Sequence, residues 1–155
     1  MRLRILWPGR TKTAALRELE EHFLGRIRRL SPCEIIPTET ARGLDERASA
    51  KILEVEAEGL EKRLKDDYIV CLFDGGKEMN SAEFARFMAE REASGRRGLA
   101  FVVGGFLGLA ERLLDRADLR LSLSRMTLSH ELCRVVLLEQ IYRSLTLMKG
   151  RSYAK

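Results

Sequence analysis

Proline, cysteine and aromatic residues are scarce in these 155 residues: three Pro, three Cys, and Phe, Trp and Tyr together only 6%. Cys33, Cys71 and Cys133 are odd in number and widely scattered, so neither a disulfide framework nor a zinc site has their spacing. Each sits in an apolar stretch, where free cysteine acts as a small buried apolar residue. No metal is therefore expected. No run approaches the roughly 20 apolar residues that span a bilayer, which excludes a membrane partner of that kind. The start, Met1–Pro8, is basic but too short in its apolar part for a signal peptide, and the expected compartment is the cytoplasm. With few prolines, no repeat and no low-complexity tract, nothing marks a linker. The chain suits one domain over 1–155, large enough to bury a core.

What the sequence does carry is charge, 33% of all residues, with a net of +5. Residues 1–30 hold eight Lys/Arg against three Glu and residues 134–155 hold five against one, leaving the middle net acidic. These basic ends make one patch only if the fold, or a dimer, brings them together. Such a patch would attract a polyanion, RNA or DNA first; otherwise they are two solvated helix faces.

Strand and helix patterns alternate along the chain. Leu3–Trp7 alternates and closes at Pro8-Gly9, reading as a strand and turn. Thr13 caps a helical run from Ala14 to about Leu30, then Cys33–Pro37 reads as a second strand. Residues 38–47 are polar, contain Arg42-Gly43 and read as an exposed loop. A helix is expected from about Asp45 to Lys65, and a buried strand at Tyr68–Phe73 ending in the turn Asp74-Gly75-Gly76-Lys77. Asn80 with Glu83 makes a capping pair for a helix through Glu92. A strand at Leu99–Val103, a short helix at Leu109–Arg116, a strand at Leu119–Leu123 and a helix from Ser129 to Met148 complete the chain. This order predicts an α/β fold with a mainly parallel sheet flanked by helices.

Four motifs stand out. Val103-Gly104-Gly105-Phe106-Leu107-Gly108 lets a strand end turn sharply and approach a ligand closely, or is simply a structural turn. It lacks the spacing of a dinucleotide fingerprint, and Gly76-Lys77 lacks that of a phosphate-binding loop. Leu123-Ser124-Arg125-Met126-Thr127-Leu128 is a polar loop opening a helix, where free N–H groups can meet an anion. There Ser129 is an N-cap and His130 either a first-turn structural residue or a functional one. In the helix Leu132–Leu145, four consecutive apolar residues, Val135–Leu138, cover every side of a turn. That implies a subunit interface or a central core helix. Glu139 and Arg143 can pair along it. The tail Met148–Lys155, basic with Tyr153, either contacts phosphates and stacks on a base or frays.

Taken in order, these motifs resemble one family. GlyGly-x-x-GlyLeu, then Leu-Ser-x-Ser-x-Met-Thr, then Ser-His-Glu-Leu-x-Arg-Val-Val-Leu-x-Glu-Gln-x-Tyr-Arg and a Tyr-bearing basic tail are similar to the SPOUT-class large-subunit rRNA methyltransferase H family. The resemblance covers the whole chain. It implies a C-terminal trefoil knot, a homodimer and S-adenosylmethionine as methyl donor. It also implies methylation of N3 of a pseudouridine in 23S rRNA, on the ribosome. The donor site it implies uses Leu72, Gly104, Leu123, Ser124, Arg125, Met126, Thr127 and Leu128, while Arg134 and Arg143 face RNA or the partner subunit. The chain departs from the family pattern at Ser129, usually Pro, and at Ala154, usually His. Without that histidine, Arg143, Tyr153 and His130 are the candidates for orienting or charge-stabilising roles at N3. Two other readings stay open: a SPOUT methyltransferase on another RNA such as tRNA, and an RNA-binding relative that has lost turnover.

Overall fold

The computed structural model describes every residue except Arg42, Glu46, Arg96, Arg97, Ala154 and Lys155. The expected alternation is present as β1 (Leu3–Pro8), α1 (Ala14–Arg28), β2 (Cys33–Thr38), α2 (Ser49–Arg63), β3 (Tyr68–Glu78), α3 (Ser81–Ser94), β4 (Leu99–Val102), α4 (Glu111–Arg116), β5 (Leu119–Ser122) and α5 (His130–Met148). The five strands form one sheet in the order β2-β1-β4-β3-β5, parallel at every pairing.

The inner strands β1, β4 and the first half of β3 are largely apolar on both faces because helices cover both. On one face Ile5, Trp7, Val70 and Phe101 pack with Ile27 of α1, Phe84 and Met88 of α3, and Leu137, Leu138 and Ile141 of α5. On the other, Leu6, Cys71, Ala100 and Val102 meet Ala57 and Leu60 of α2 and Leu113 and Leu114 of α4. Burying an aliphatic or aromatic side chain of this size contributes about 1.5–3 kcal/mol, so these two layers hold the sheet between its helices. Helix ends follow local chemistry. Asn80 and Glu83 form a reciprocal capping box on α3, which stops at left-handed Gly95. The Ser129 side chain accepts from the Leu132 N–H at the start of α5.

Several expectations need correction. Thr13 stands at the N-cap of α1 but its side chain makes no capping bond. Helix α2 starts at Ser49, because Asp45 closes a separate turn by accepting from the N–H groups of Arg47 and Ala48. Arg42, named with the loop, lies outside the described residues. Asp74–Lys77 does not end β3: Leu72 and Lys77 both stand opposite Leu121, so the residues between them are thrown out as a bulge and the strand resumes to Glu78. The apolar turn of α5 is mostly an internal feature, since Val135, Leu137 and Leu138 are buried in this subunit and only Val136 is half-buried.

Packing of α1 against α5 also brings parts of the two basic ends together. The Arg26 guanidinium lies over the Tyr142 ring, 5.6 Å from its centroid, and Phe23 touches the same ring. Arg26 therefore stands on the same face as Tyr142 of α5, whereas Arg4 and Arg134 of the two basic segments are buried.

Candidate functional site

Three loops meet at the carboxyl ends of the strands, where ligands of parallel α/β sheets gather. They are the β3 bulge, the turn after β4 and the segment between β5 and α5. Together they enclose a cavity of about 530 Å³. Of the residues named from sequence, Leu72, Gly104, Leu123, Ser124, Met126, Thr127 and Leu128 line it, and so does His130. Arg125 belongs to the same segment but is not on the lining. Residues not named for the donor site also line it, among them Phe73, Asp74, Phe106 and Cys133.

Gly104 is where the cavity depends most on backbone. A Cβ there would stand 2.5 Å from the carbonyl carbon and oxygen of Gly108, so only glycine permits the two segments to touch. The Gly108 N–H donates to the Gly105 carbonyl at 3.0 Å, closing the turn, and Gly108 takes a φ of 77°. Phe106 is presented at the tip, 55% exposed. Among the described residues, the N–H groups of Gly104, Phe106 and Leu107 make no hydrogen bond. They are available to a ligand.

On the opposite wall, Ser124 orders its own loop. Its hydroxyl accepts from the Met126 N–H at 2.9 Å, while its carbonyl accepts from Ser122 at 3.0 Å. His130 is half-buried, and burial together with the nearby Arg134 charge holds its imidazolium pKa below the ordinary 6.5. It is therefore a neutral imidazole at neutral pH. Burial pushes the Cys133 thiol up to about 11, so that lining group is neutral as well. Among the described residues no Lys or Arg lines the cavity, and no cluster of His, Cys, Asp or Glu could hold a metal ion.

The first turn of α5 is tied to the β1–α1 segment. Glu131 accepts from the N–H groups of Lys12 and Thr13 at 2.7 and 3.1 Å. Arg134 does not face solvent, contrary to expectation. It is 1% exposed, donates to Thr11 Oγ1 at 3.0 Å and the Pro8 carbonyl at 2.8 Å, and lies 4.7 Å from the centroid of Trp7. Its terminal nitrogens are held between β1 and α5 by forked donation and its plane by stacking, while Nε is buried without a partner.

Arg143 and Tyr153 come together, but away from this cavity. Arg143 donates to Glu139 at 2.6 Å and lies over the Tyr153 ring, which packs edge-on against Tyr142. From His130 to Arg143 the helix rises about 20 Å. Burial and the Glu139 charge raise the Tyr153 pKa above 10, keeping the phenol protonated. Ala154, the position where the family pattern has histidine, lies outside the described residues.

A family model described as a predicted SPOUT methyltransferase matches residues 1–154. The chain is 39% identical over 154 residues to a ribosomal RNA large subunit methyltransferase H from a Geobacter species, covering 99% of this chain and 98% of that one. To the protein of the same name from Clostridium beijerinckii it is 36% identical over 159 residues, with both chains covered in full. Among solved structures, a probable methyltransferase from Bordetella pertussis Tohama I gives a TM-score of 0.55 at 13% identity, covering 93% of this chain and 96% of that one. That likeness concerns the fold alone. The end-to-end matches in sequence go further: this chain belongs to the SPOUT methyltransferases, alongside the ribosomal RNA large subunit methyltransferase H proteins.

Proposed function

We propose that the protein transfers a methyl group from S-adenosylmethionine to N3 of a pseudouridine in 23S ribosomal RNA. In this reading it acts in the cytoplasm on assembled ribosomes, as a homodimer whose C-terminal region carries the trefoil knot of its family. The observation that carries the proposal is the convergence of Leu72, Gly104, Leu123, Ser124 and residues 126–128 in one cavity. These are the positions that the family pattern assigns to donor binding.

The chemistry of the walls suits that donor. Leu72, Leu123 and Leu128 offer apolar surface for a flat ring, and the unpaired N–H groups of the glycine turn offer donors to polar ends. A cavity without cationic lining and with neutral His130 suits a ligand of net positive charge. When bound, S-adenosylmethionine supplies an electrophilic methyl group on sulfur. The chain must then deal with the N3 proton, which a pseudouridine carries at neutral pH. Tyr153, held protonated, is a hydrogen-bond donor and not a base, and Arg143 is a permanent cation; both suit stabilising the anion. His130 and Asp74 line the donor cavity and are groups there that can accept a proton. The shared face with Arg26, Tyr142, Arg143 and Tyr153 interleaves cations and aromatic rings, a pattern suited to RNA.

The test is tritium transfer from labelled S-adenosylmethionine to ribosomes from a strain lacking the modification, followed by nucleoside mass spectrometry. Label in N3-methylpseudouridine of 23S rRNA is expected. Label in tRNA alone would leave the chemistry and refute the substrate, and donor binding without transfer to any RNA would leave only an RNA-binding relative.

A further inference from the structure

The titratable groups on the cavity lining are Asp74, His130 and Cys133. One more lies just behind the wall. Glu56 of α2 is 6% exposed, and a Cβ built on Gly105 would stand 3.0 Å from both of its carboxylate oxygens. Only the side chain that glycine lacks would fill the gap between this carboxylate and the turn. Its Oε1 is buried without any hydrogen-bond partner. A buried carboxylate oxygen left unpaired is costly and rare, and calls for a role.

Burial pushes its pKa above the ordinary 4.5, and the Arg134 charge works against that shift. The terminal nitrogens of Arg134 donate to Thr11 and Pro8 and leave the Glu56 carboxylate without a bond from it. Three carboxylates act on that one guanidinium: Glu20, Glu131 and Glu56. Glu20 accepts from the Thr11 hydroxyl, and Glu131 accepts from the backbone of Lys12 and Thr13. Both are committed to the β1–α1 segment. Of the three, it is Glu56 whose carboxylate stands against the cavity's glycine turn, at Gly105.

We propose that Glu56 is the specificity-determining charge of the donor cavity: acting across the Gly105 peptide, its carboxylate favours the cationic methyl donor over the neutral thioether left after transfer. The inference rests on reading the cavity as the S-adenosylmethionine site. Donor and product differ by one methyl group and one positive charge, and apolar contacts with the adenosine part are common to both. A fixed charge in a wall of low dielectric separates them, because it attracts the sulfonium and is indifferent to the thioether. It binds donor more tightly and speeds exchange of product for donor, without touching either.

The experiment is calorimetric titration of wild type and Glu56→Gln with S-adenosylmethionine and with S-adenosylhomocysteine. Affinity for the donor is expected to fall about fivefold in Glu56→Gln while that for the product holds, the size expected of one partly screened charge. Glu56→Leu, which leaves no polar group to bury and so folds even if the amide does not, gives the same change in ratio. Glu56→Asp keeps the charge and the preference. A merely structural role would weaken both ligands alike, and equal losses, or no loss, would overturn the proposal. A wild type that binds neither ligand would overturn the donor-site reading and this inference with it.

Discussion

The guanidinium of Arg143 lies over the ring of Tyr153, 4.6 Å from its centroid, on a face of α5 remote from the donor cavity of the same subunit. With about 20 Å of helix between Arg143 and His130, neither residue of the pair reaches a methyl group in that cavity. If they act on the RNA, a second copy must bring them there. Arg143→Ala is then expected to lower the transfer rate by about a hundredfold while leaving donor affinity unchanged. Mixing Arg143→Ala with Gly104→Val subunits should restore about a quarter of wild-type activity. In a two-fold dimer, half of the molecules are mixed and one of their two sites is intact. Two inactive parents whose mixture stays inactive would confine each site to one subunit.

Gly104→Ala is the smallest change that tests the cavity. The added methyl meets the Gly108 backbone at 2.5 Å and not a movable side chain, so the turn must open. Donor affinity is expected to fall at least about tenfold, with a melting temperature lowered by only a few degrees, because the strain is local. Calorimetry and thermal circular dichroism measure the two. Unchanged affinity would remove the turn from the site.

Arg134 is predicted to matter for stability rather than for RNA. Its removal leaves the Pro8 carbonyl without that donor, a buried group left unpaired at about 1–3 kcal/mol, and takes from Glu56 and Glu20 a charge that favours their ionised forms. Arg134→Ala should lose a clear part of its folding free energy in urea titration. Lysine should not restore it, since one ammonium cannot fork to Thr11 and Pro8 and also lie flat on Trp7. Normal stability with weakened ribosome binding would return Arg134 to the surface role that its position in the motif suggested.

That misplacement shows which parts of the molecule its sequence displays. Alternation, helical periods, short continuous apolar runs and turn residues located all ten elements, and the Asn80–Glu83 box was readable because capping is local. Long-range pairing was not. Arg4 sits in an alternating strand, yet it is buried by an ion pair with Asp67, which is 63 residues away. Asp74–Lys77 has the composition of a turn, but the pairing of Lys77 with Leu121 turns it into a bulge. The segment Leu123–Leu128 was singled out through resemblance, since glycine pairs and Ser-rich loops mark many structural turns. Glu56 gave no signal at all: a glutamate on an amphipathic helix reads as solvated until Gly105 is seen against it.

Glu131 offers a pH test of how α5 is anchored. Partial burial opposes its ionisation, but the N–H groups of Lys12 and Thr13 and the Arg134 charge outweigh it and hold the carboxyl at about 2. A folded pKa below the unfolded one stabilises the protein above the unfolded value near 4.5. That contribution is lost as pH falls through about 2. Glu131→Gln should therefore melt below wild type at neutral pH, with the difference closing steadily from pH 4.5 downward. A gap independent of pH would mean that shape, and not charge, makes the bond.

The last prediction concerns the N3 proton and the altered tail. Tyr153 is held protonated and Arg143 is paired with Glu139, so among the described residues this end of α5 offers charge stabilisation and hydrogen bonding, with its one carboxylate already engaged by Arg143. The substitution Ala154→His would add a group that titrates near neutrality and follows Tyr153 directly. If transfer is limited by the proton, Ala154→His should raise the rate on ribosomes, most clearly below the pH at which N3 ionises unaided. The gain should shrink as pH rises, because hydroxide then does the same work, and donor affinity should not move. Raising salt should weaken ribosome binding in both proteins with the same slope, since the added imidazole is neutral at alkaline pH and makes no phosphate contact there. The comparison needs only initial rates of tritium transfer from about pH 6 to 9 at saturating donor, spanning the ordinary range of imidazole. A parallel gain at every pH would assign the new side chain to binding. No gain at any pH would leave proton removal to the donor-cavity side, where His130 and Asp74 stand.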